Sequence, residues 1–502
     1  MEAEKALFNY GCAMTARGLN KDELSILMRD HNSRSDTPLS DGKVDELIES
    51  AFMFTMKNDT NINLPTITAT QRQLLPLLNE IYESLRPDVT LYRHGGGLVS
   101  LRNGIVSHYT AESMPKLLSA RANYVNGKTN DSMFPPMVAA KAVLYSLDDE
   151  DKIRSLKHIT NVPVLRPDGT VLDSPGYDTP TGIYYHPTGK PVQIPERPTQ
   201  TNAREAAAWL LDMIGEFPFE SESDQTNYIG LLLTFVVREL CGCVPLTLID
   251  APSAGTGKSL LSKIAAITAT GKTAVFGVQL GSEEEMRKNI TSRLRESPSI
   301  LITDNAEEVI KSAVMATLLT TEEWEDRLLG RNRVLRLPVR AVMVFTGNNL
   351  RLGGDMPRRC YRVRLDANAA RPWMRGGFRH RLPEYAMENR GRIIASLLIM
   401  ARSWIMAGRP EGGNTTLGSF ESWCEIVGGI LEYAGLNGFL DNLQEMYRDT
   451  ADGEDDAEQW AEWMDAIHAH FGDNAFTVKT LAEEMSDFNA VRLRDDAPYS
   501  LG

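Results

Sequence analysis

The sequence predicts an α/β fold: a five-stranded parallel sheet with helices on its faces, a helical and α+β region before it, and a helical region after it. Three observations carry this prediction. Between residues 201 and 370, short apolar runs alternate with segments of helical period, the order that builds a parallel sheet. One run enters a glycine-rich loop that opens a helix. Another, Ile300-Leu-Ile-Thr303, ends on a carboxylate, Asp304.

The elements follow in order. Residues 1–62 read as a helical module. Asn20 and Glu23 have capping-box spacing, Asp36–Asp41 with Pro38 breaks the pattern, and Val44–Met56 resumes it. Residues 63–200 read as a small α+β region and linker. Alternation on either side of His94-Gly-Gly-Gly97 predicts a hairpin. The same four residue types form an oxyanion loop in esterases, but no Gly-x-Ser-x-Gly elbow accompanies them here. Pro, Gly, Thr and Tyr enrichment over 160–200 predicts short strands and turns.

The central domain spans 201–370. Its apolar run Tyr228–Val237 is shorter than the ~20 residues a bilayer requires and predicts a buried helix. The five strand candidates are Pro245–Ile249, Thr273–Phe276, Ser299–Thr303, Arg340–Phe345 and Tyr361–Leu365. Residues 371–412 predict a helical lid, with Ile393–Ile405 strongly apolar. Residues 413–502 predict a helical domain, in which Phe476–Met485 has the pattern that opens a winged helix.

Composition narrows the function classes. The net charge of −14 excludes a surface coated in basic residues, but a ring or cleft can still concentrate arginines locally. The acidic runs Asp148–Asp151 and Asp452–Glu458 read as solvated stretches rather than metal sites. Five cysteines without a Cys-x-x-Cys predict neither a disulfide framework nor a zinc knuckle. With an N-terminus that lacks an apolar signal core, this predicts a cytoplasmic protein with no membrane partner.

The loop Pro252-Ser-Ala-Gly-Thr-Gly-Lys-Ser259 lies between the strand Leu246–Asp250 and the helical pattern Leu260–Ala269. That context is the one in which a P-loop holds phosphates. Ser253, Ala254, Gly255, Thr256, Gly257, Lys258, Ser259 and Leu260 are the predicted ATP contacts. The glycines bring backbone N–H groups to phosphate oxygens, and the helix N-terminus adds positive charge. Lys258 reaches the β- and γ-phosphates; Ser259 offers a hydroxyl to Mg²⁺, with Asp304 as the acidic partner. Pro252 replaces the usual first glycine of the motif, and its fixed φ still permits a turn.

Asn305 follows Asp304 where many such enzymes carry an acid. Either Asn305 only orients the water, or the catalytic base is sought among Glu284, Glu285, Glu307 and Glu308, with Glu284 as the first candidate; Ser282 gives Glu285 a capping role as well. Val342-Met-Val-Phe-Thr-Gly-Asn-Asn349 ends a strand on amides suited to sense the γ-phosphate, Asn348 before Asn349. Arg358 and Arg359, just ahead of the last strand, suit an arginine finger acting on a neighbouring subunit.

This ordered set resembles the AAA+ ATPase fold, and within it the superfamily 3-like helicases of phages, plasmids and integrative elements. The resemblance covers residues 155–375. It rests on Pro175-Gly-Tyr-Asp-Thr-Pro-Thr-Gly-Ile183, Glu216-Phe-Pro-Phe219, the P-loop, Thr303-Asp-Asn305, Asp326-Arg-Leu-Leu-Gly330, Thr346-Gly-Asn-Asn349 and Gly354-Asp-Met-Pro-Arg-Arg359. Asn9-Tyr-Gly-Cys12, Gly18–Leu24, Asn32 and Pro38-Leu39 resemble the helical module that follows a primase domain in primase–helicase proteins.

The resemblance implies the helicase half alone, with priming supplied by a separate primase or origin-binding protein. It implies a homo-oligomeric ring, usually a hexamer, moving on single-stranded or forked DNA. It also implies a pore hairpin over Arg327–Arg340, with Arg331, Arg333 and Arg336 on DNA, and a second nucleotide sensor at Arg390 or Arg392. Helicase action is the leading expectation. An initiator or remodelling ATPase, and a nucleotide-controlled defence or signalling oligomer, are the alternatives.

Overall fold

In the computed structural model of the 502-residue chain, the described residues are 2–16, 21–33, 35, 38–58, 64–146, 152–190, 192–275, 277–278, 281–306, 309–327, 334–412, 416–448, 451–472 and 474–485. Helices α1 (Glu2–Ala16), α2 (Lys21–Ser33) and α3 (Asp41–Asn58) enclose Leu7, Leu24, Met28, Val44 and Ile48. The i, i+4 pairs Leu24/Met28 and Val44/Ile48 each share one helix face. The break at Pro38 is the α2–α3 connection. There Asn32 exchanges two hydrogen bonds with the Leu39 backbone, at 2.8 and 2.9 Å.

Helix α4 (Leu74–Leu85) leads into a meander of β1 (Leu91–His94), β2 (Gly97–Arg102) and β3 (Ile105–His108). Both turns consist of two left-handed residues: Gly95 and Gly96 at φ 56° and 70°, Asn103 and Gly104 at 51° and 72°. This mirror-image turn matches the right-handed twist of the strands. The predicted hairpin is therefore present, and His94-Gly-Gly-Gly97 forms its turn. Gly95 has a second constraint, since a Cβ there would stand 2.5 Å from Leu337 Cδ2. Helix α4 and helix α5 (Met137–Tyr145) share a separate apolar core. The 160–200 stretch supplies short strands, with His158–Thr160 parallel to Ile183–Tyr185 and Gly176–Asp178 antiparallel to it.

The largest core runs from Val162 to Met446. It contains α6 (Gln200–Ile214), closed by a Thr199–Asn202 capping box, and α7 (Glu222–Val237), which buries the whole Tyr228–Val237 run. Next come β4 (Leu246–Ala251), α8 (Lys258–Thr270), α9 (Glu283–Leu294), β5 (Ile300–Thr303), β6 (Glu323–Arg327), β7 (Val334–Pro338), β8 (Val342–Asn348) and β9 (Cys360–Arg364). Strands β5, β8, β4 and β9 form one parallel sheet in that spatial order. Strands β6 and β7 form an antiparallel ribbon beside it.

Four of the five expected strands are present among the described residues. The fifth, Thr273–Phe276, requires correction: Thr273, Ala274 and Val275 pair with no strand, and Phe276 lies outside the described residues. The following residues do lie along the edge of β5. Thr303 Oγ1 donates to the Val278 carbonyl at 2.8 Å, and a Cβ on Gly277 would fall 2.0 Å from the Ile302 oxygen. A glycine pressed onto a carbonyl and one hydroxyl bond replace the ladder.

Helices α10 (Arg390–Met406) and α11 (Glu421–Tyr433) pack on α6 and α7, so they share a helical layer with the helices ahead of the sheet. Trp423 ties this layer to the sheet. Its ring lies 5.0 Å from Tyr361, and its indole N–H donates to Thr234 at 3.0 Å. Helices α12 (Ala451–Phe471) and α13 (Val478–Met485) follow. The winged-helix candidate is helical as far as Met485, and its remainder lies outside the described residues. Among the described residues no helix is long and apolar enough to cross a membrane.

Candidate nucleotide site

The phosphate loop joins β4 to α8. Gly255 and Gly257 hold φ of 81° and 114°, a region that side chains disfavour. Each is also packed: a Cβ on Gly255 would lie 2.8 Å from Trp373 Cβ, and one on Gly257 2.9 Å from Phe217. Gly257 is the residue before α8, so the free N–H groups of that helix open beside the loop. Pro252 keeps its carbonyl for Asn349, whose side-chain amide donates to it at 3.3 Å.

Strand β8 lies between β4 and β5, and this topology assembles the site. Its C-terminal end stands between the P-loop and Asp304. Lys258 Nζ donates to Asn348 Oδ1 at 2.6 Å and to the Ser253 carbonyl at 3.0 Å. Burial draws the Lys258 ammonium below the ordinary lysine range, against the pull of Asp250 and Asp304. Ser259 Oγ donates to the two Asp304 oxygens at 3.0 and 3.2 Å, and Thr346 Oγ1 donates to Asp304 Oδ1. Ala254, Gly255, Gly257, Lys258, Ser259, Leu260, Asp304, Asn305, Thr346, Gly347 and Asn348 enclose a cavity of about 320 Å³. Sequence candidates 90 residues apart, Lys258 and Asn348, thus touch. The two asparagines separate by role, since Asn348 faces the lysine and Asn349, at φ 47°, braces Pro252.

Ser259 and Asp304 place a hydroxyl and a carboxylate side by side on the cavity wall. This oxygen pair fits a hard divalent cation that keeps other positions for water and phosphate, as Mg²⁺ does.

A second cavity, about 440 Å³, opens on the other side of Gly255, Gly257 and Leu260. Phe217, Trp373, Phe378 and Leu382 give it apolar walls. Trp373 and Phe378 remain 62% and 49% exposed. The segment that carries them is held from α6. The Glu216 carboxylate accepts the Arg379 N–H at 2.9 Å and the His380 N–H at 3.3 Å, and Arg379 pairs with Asp212 at 2.9 Å. Sequence reasoning missed this cavity. Its one signal was the Glu216-Phe-Pro-Phe219 segment, noted only for the resemblance.

Asp250 was also missed. It is fully buried at the end of β4, where it accepts the Leu350 N–H at 3.1 Å and Arg364 Nη1 at 2.5 Å. Asp250 and Arg364 are register partners across β4 and β9. A carboxylate closing an apolar strand was the available signal.

Other candidates lie elsewhere. Glu284 is in the first turn of α9, 2.9 Å from Lys288, and that hydrogen bond holds its carboxyl below the usual range. Glu285 shares the same lysine at 2.9 Å, and its N–H is capped by Ser282. Neither lines the phosphate cavity, and Glu307 and Glu308 lie outside the described residues. Arg359 is bound to Asp355, the Ala316 carbonyl and Thr320, leaving its side chain 13% exposed. Arg358 also pairs with Asp355, but its side chain is 61% exposed.

The expected hairpin over Arg327–Arg340 overlaps the β6–β7 ribbon, whose first strand, Glu323–Arg327, lies ahead of the expected range and whose connection lies outside the described residues. Arg336, exposed on β7, pairs with Glu325 across the ribbon at 2.8 Å. Arg331 and Arg333 lie outside the described residues. The second-sensor expectation requires correction. Arg390 is buried and donates to the carbonyls of Ile267 (2.6 Å), Asn161 (3.0 Å) and Thr188. Burial pushes its pKa down to about 10. Arg392 lies over the Trp209 ring at 4.4 Å. Both residues serve packing, and neither lines the two cavities.

No protein-family model and no curated protein sequence matches the chain. Among solved structures, the chain is similar to the apo A form of the NrS-1 C-terminal region, over 82% of this chain and 86% of that one, at 12% identity and a TM-score of 0.35. It is also similar to JCV helicase, solved with a bound substituted acetamide, over 60% and 74% of the two chains, at 11% identity and a TM-score of 0.20.

Proposed function

We propose that this chain is an ATP-dependent DNA helicase or translocase. It works as a homo-oligomeric ring, a hexamer, on single-stranded or forked DNA in the replication of a phage, plasmid or integrative element. The observation that carries the reading is the convergence of Lys258, Ser259, Asp304 and Asn348 on one cavity, beside a second cavity with aromatic walls.

The loop N–H groups and the α8 N-terminus bind the phosphates, and the aromatic cavity takes the base. Lys258 leaves Asn348 for the β- and γ-phosphates, which frees the Asn348 amide to orient the attacking water. Ser259 and Asp304 would hold Mg²⁺, which supplies charge neutralisation at the phosphates when bound. Arg358, exposed beside its anchored neighbour Arg359, is the residue that reaches a nucleotide on the next subunit. Such a contact requires a head-to-tail interface, which closes as a ring. Arg331, Arg333 and Arg336 are assigned to the DNA backbone, where sequence-independent phosphate contacts suit a translocase.

The test is ATP turnover with and without single-stranded DNA, followed by strand separation on a forked duplex. DNA-stimulated turnover with separation is expected. Stimulation without separation identifies a remodelling ATPase, and indifference to DNA refutes the DNA reading.

A further inference from the structure

The phosphate cavity contains a buried hydroxyl to which nucleotide binding assigns no role. Thr346 is 1% exposed and stands two residues before the end of β8. The β5–β8 ladder ends at Thr303 opposite Phe345, so Thr346 stands one residue beyond it. There its side chain takes over the bonding. Thr346 Oγ1 accepts the Asn305 N–H at 3.1 Å and donates to Asp304 Oδ1. The Thr346 carbonyl then accepts the Ala306 N–H at 2.7 Å. Three successive residues after β5 are thus fixed by one residue of β8, and Asn305 is held at φ 57° on the cavity wall.

A hydroxyl has one proton to give, and here Asp304 receives it. Asp304 has one other hydroxyl donor in the cavity, Ser259, at 3.0 and 3.2 Å. If Ser259 turns a lone pair to a cation, it keeps its proton and can still donate it to Asp304. Thr346 is the second donor, and it anchors the carboxylate to β8 rather than to the helix after the loop. The β-branched side chain has few χ1 options, which gives the bond a set direction. Valine would keep the shape but leave the Asn305 N–H and one Asp304 oxygen without this partner.

We infer that Thr346 is a positioning residue for metal-dependent nucleotide binding: its hydroxyl orients Asp304 toward Ser259 and fixes the backbone of Asn305. The inference rests on the nucleotide reading above, and the two are separable by experiment. Binding of ATPγS to the full chain is measured by titration calorimetry, with Mg²⁺ and with the metal chelated. Binding by the unaltered protein tests the nucleotide reading, and its absence would refute that reading first.

Thr346→Val is expected to lose about tenfold of the affinity that Mg²⁺ adds, the effect of removing a partner that orients a metal ligand. Its metal-free affinity should stay that of the unaltered protein. Thr346→Ser, which keeps the hydroxyl, should restore the metal gain, and Thr346→Ala should lose it as Val does. An undiminished metal gain in Thr346→Val or Thr346→Ala overturns the inference. So does equal loss with and without metal, which marks a general packing defect. If neither hydroxyl-free variant yields folded protein by circular dichroism, the hydroxyl serves folding and the inference fails.

Discussion

Replacing Asn348 with Ala is expected to tighten ADP binding while slowing hydrolysis. The Lys258 ammonium rests on Asn348 Oδ1 at 2.6 Å and on the Ser253 carbonyl at 3.0 Å. A phosphate that recruits Lys258 must first displace the asparagine. A hydrogen bond to a charged group contributes about 1.5–3 kcal/mol. Asn348 is exposed and water can replace it, so about 1 kcal/mol is the appropriate share. That share corresponds to roughly fivefold tighter ADP binding. ADP has no γ-phosphate for Asn348 to contact, so it reports the lost competition alone. ATP binding should change less, because the variant also loses the contact to the γ-phosphate. Turnover should fall about a hundredfold, the scale for removing one positioned amide from a charge-stabilising site. Fluorescent ADP titration and steady-state phosphate release are the assays. Unchanged or weaker ADP binding would refute the argument that Asn348 competes with phosphate for the lysine.

Other outcomes follow from the same geometry. Trp373→Ala removes one wall of the 440 Å³ cavity. It should weaken ATP about tenfold, by the scale of base–aromatic stacking, while competition by inorganic tripolyphosphate stays unchanged. Arg364→Ala strands the buried Asp250 carboxylate and should cost about 3–5 kcal/mol of stability, read from the denaturant midpoint; Arg364→Ala with Asp250→Asn should recover part of it. Nucleotide affinity should be full while Lys258 is an ammonium and fall as pH rises through its pKa. Burial lowers that pKa, so the alkaline limb should begin below the ordinary lysine value of 10.5. Lys258→Arg should move the limb outward, because a guanidinium stays charged.

The phosphate loop was legible because its residue types are imposed locally. Gly255 and Gly257 occupy backbone angles that few other residues adopt, and Lys258 follows at the helix start. The hairpin at Gly95-Gly96 was legible for the same reason. What escaped the sequence is set by partners far along the chain. The aromatic cavity exists because Glu216 captures backbone N–H groups 163 and 164 residues later, in a segment with no period of its own. Arg390 has the composition of an exposed helical arginine, yet three carbonyls from distant segments bury it. Arg358 and Arg359 look equivalent in sequence. Only the position of Ala316 and Thr320 commits one of them to the interior.

The chain order Lys258, Asp304, Asn348 also conceals which strand lies in the middle. Placing β8 between β4 and β5 gives one strand end two tasks, with Asn348 on the lysine and Thr346 on the Asp304 carboxylate. Just beyond it, the Leu350 N–H binds Asp250, which binds Arg364 in β9, the strand that begins two residues after Arg358. A shift of β8 on phosphate binding would therefore act on the P-loop, the carboxylate and the strand behind the exposed arginine through direct bonds. On the proposed ring, that contiguity lets the residue presented to the next subunit depend on the nucleotide held by its own.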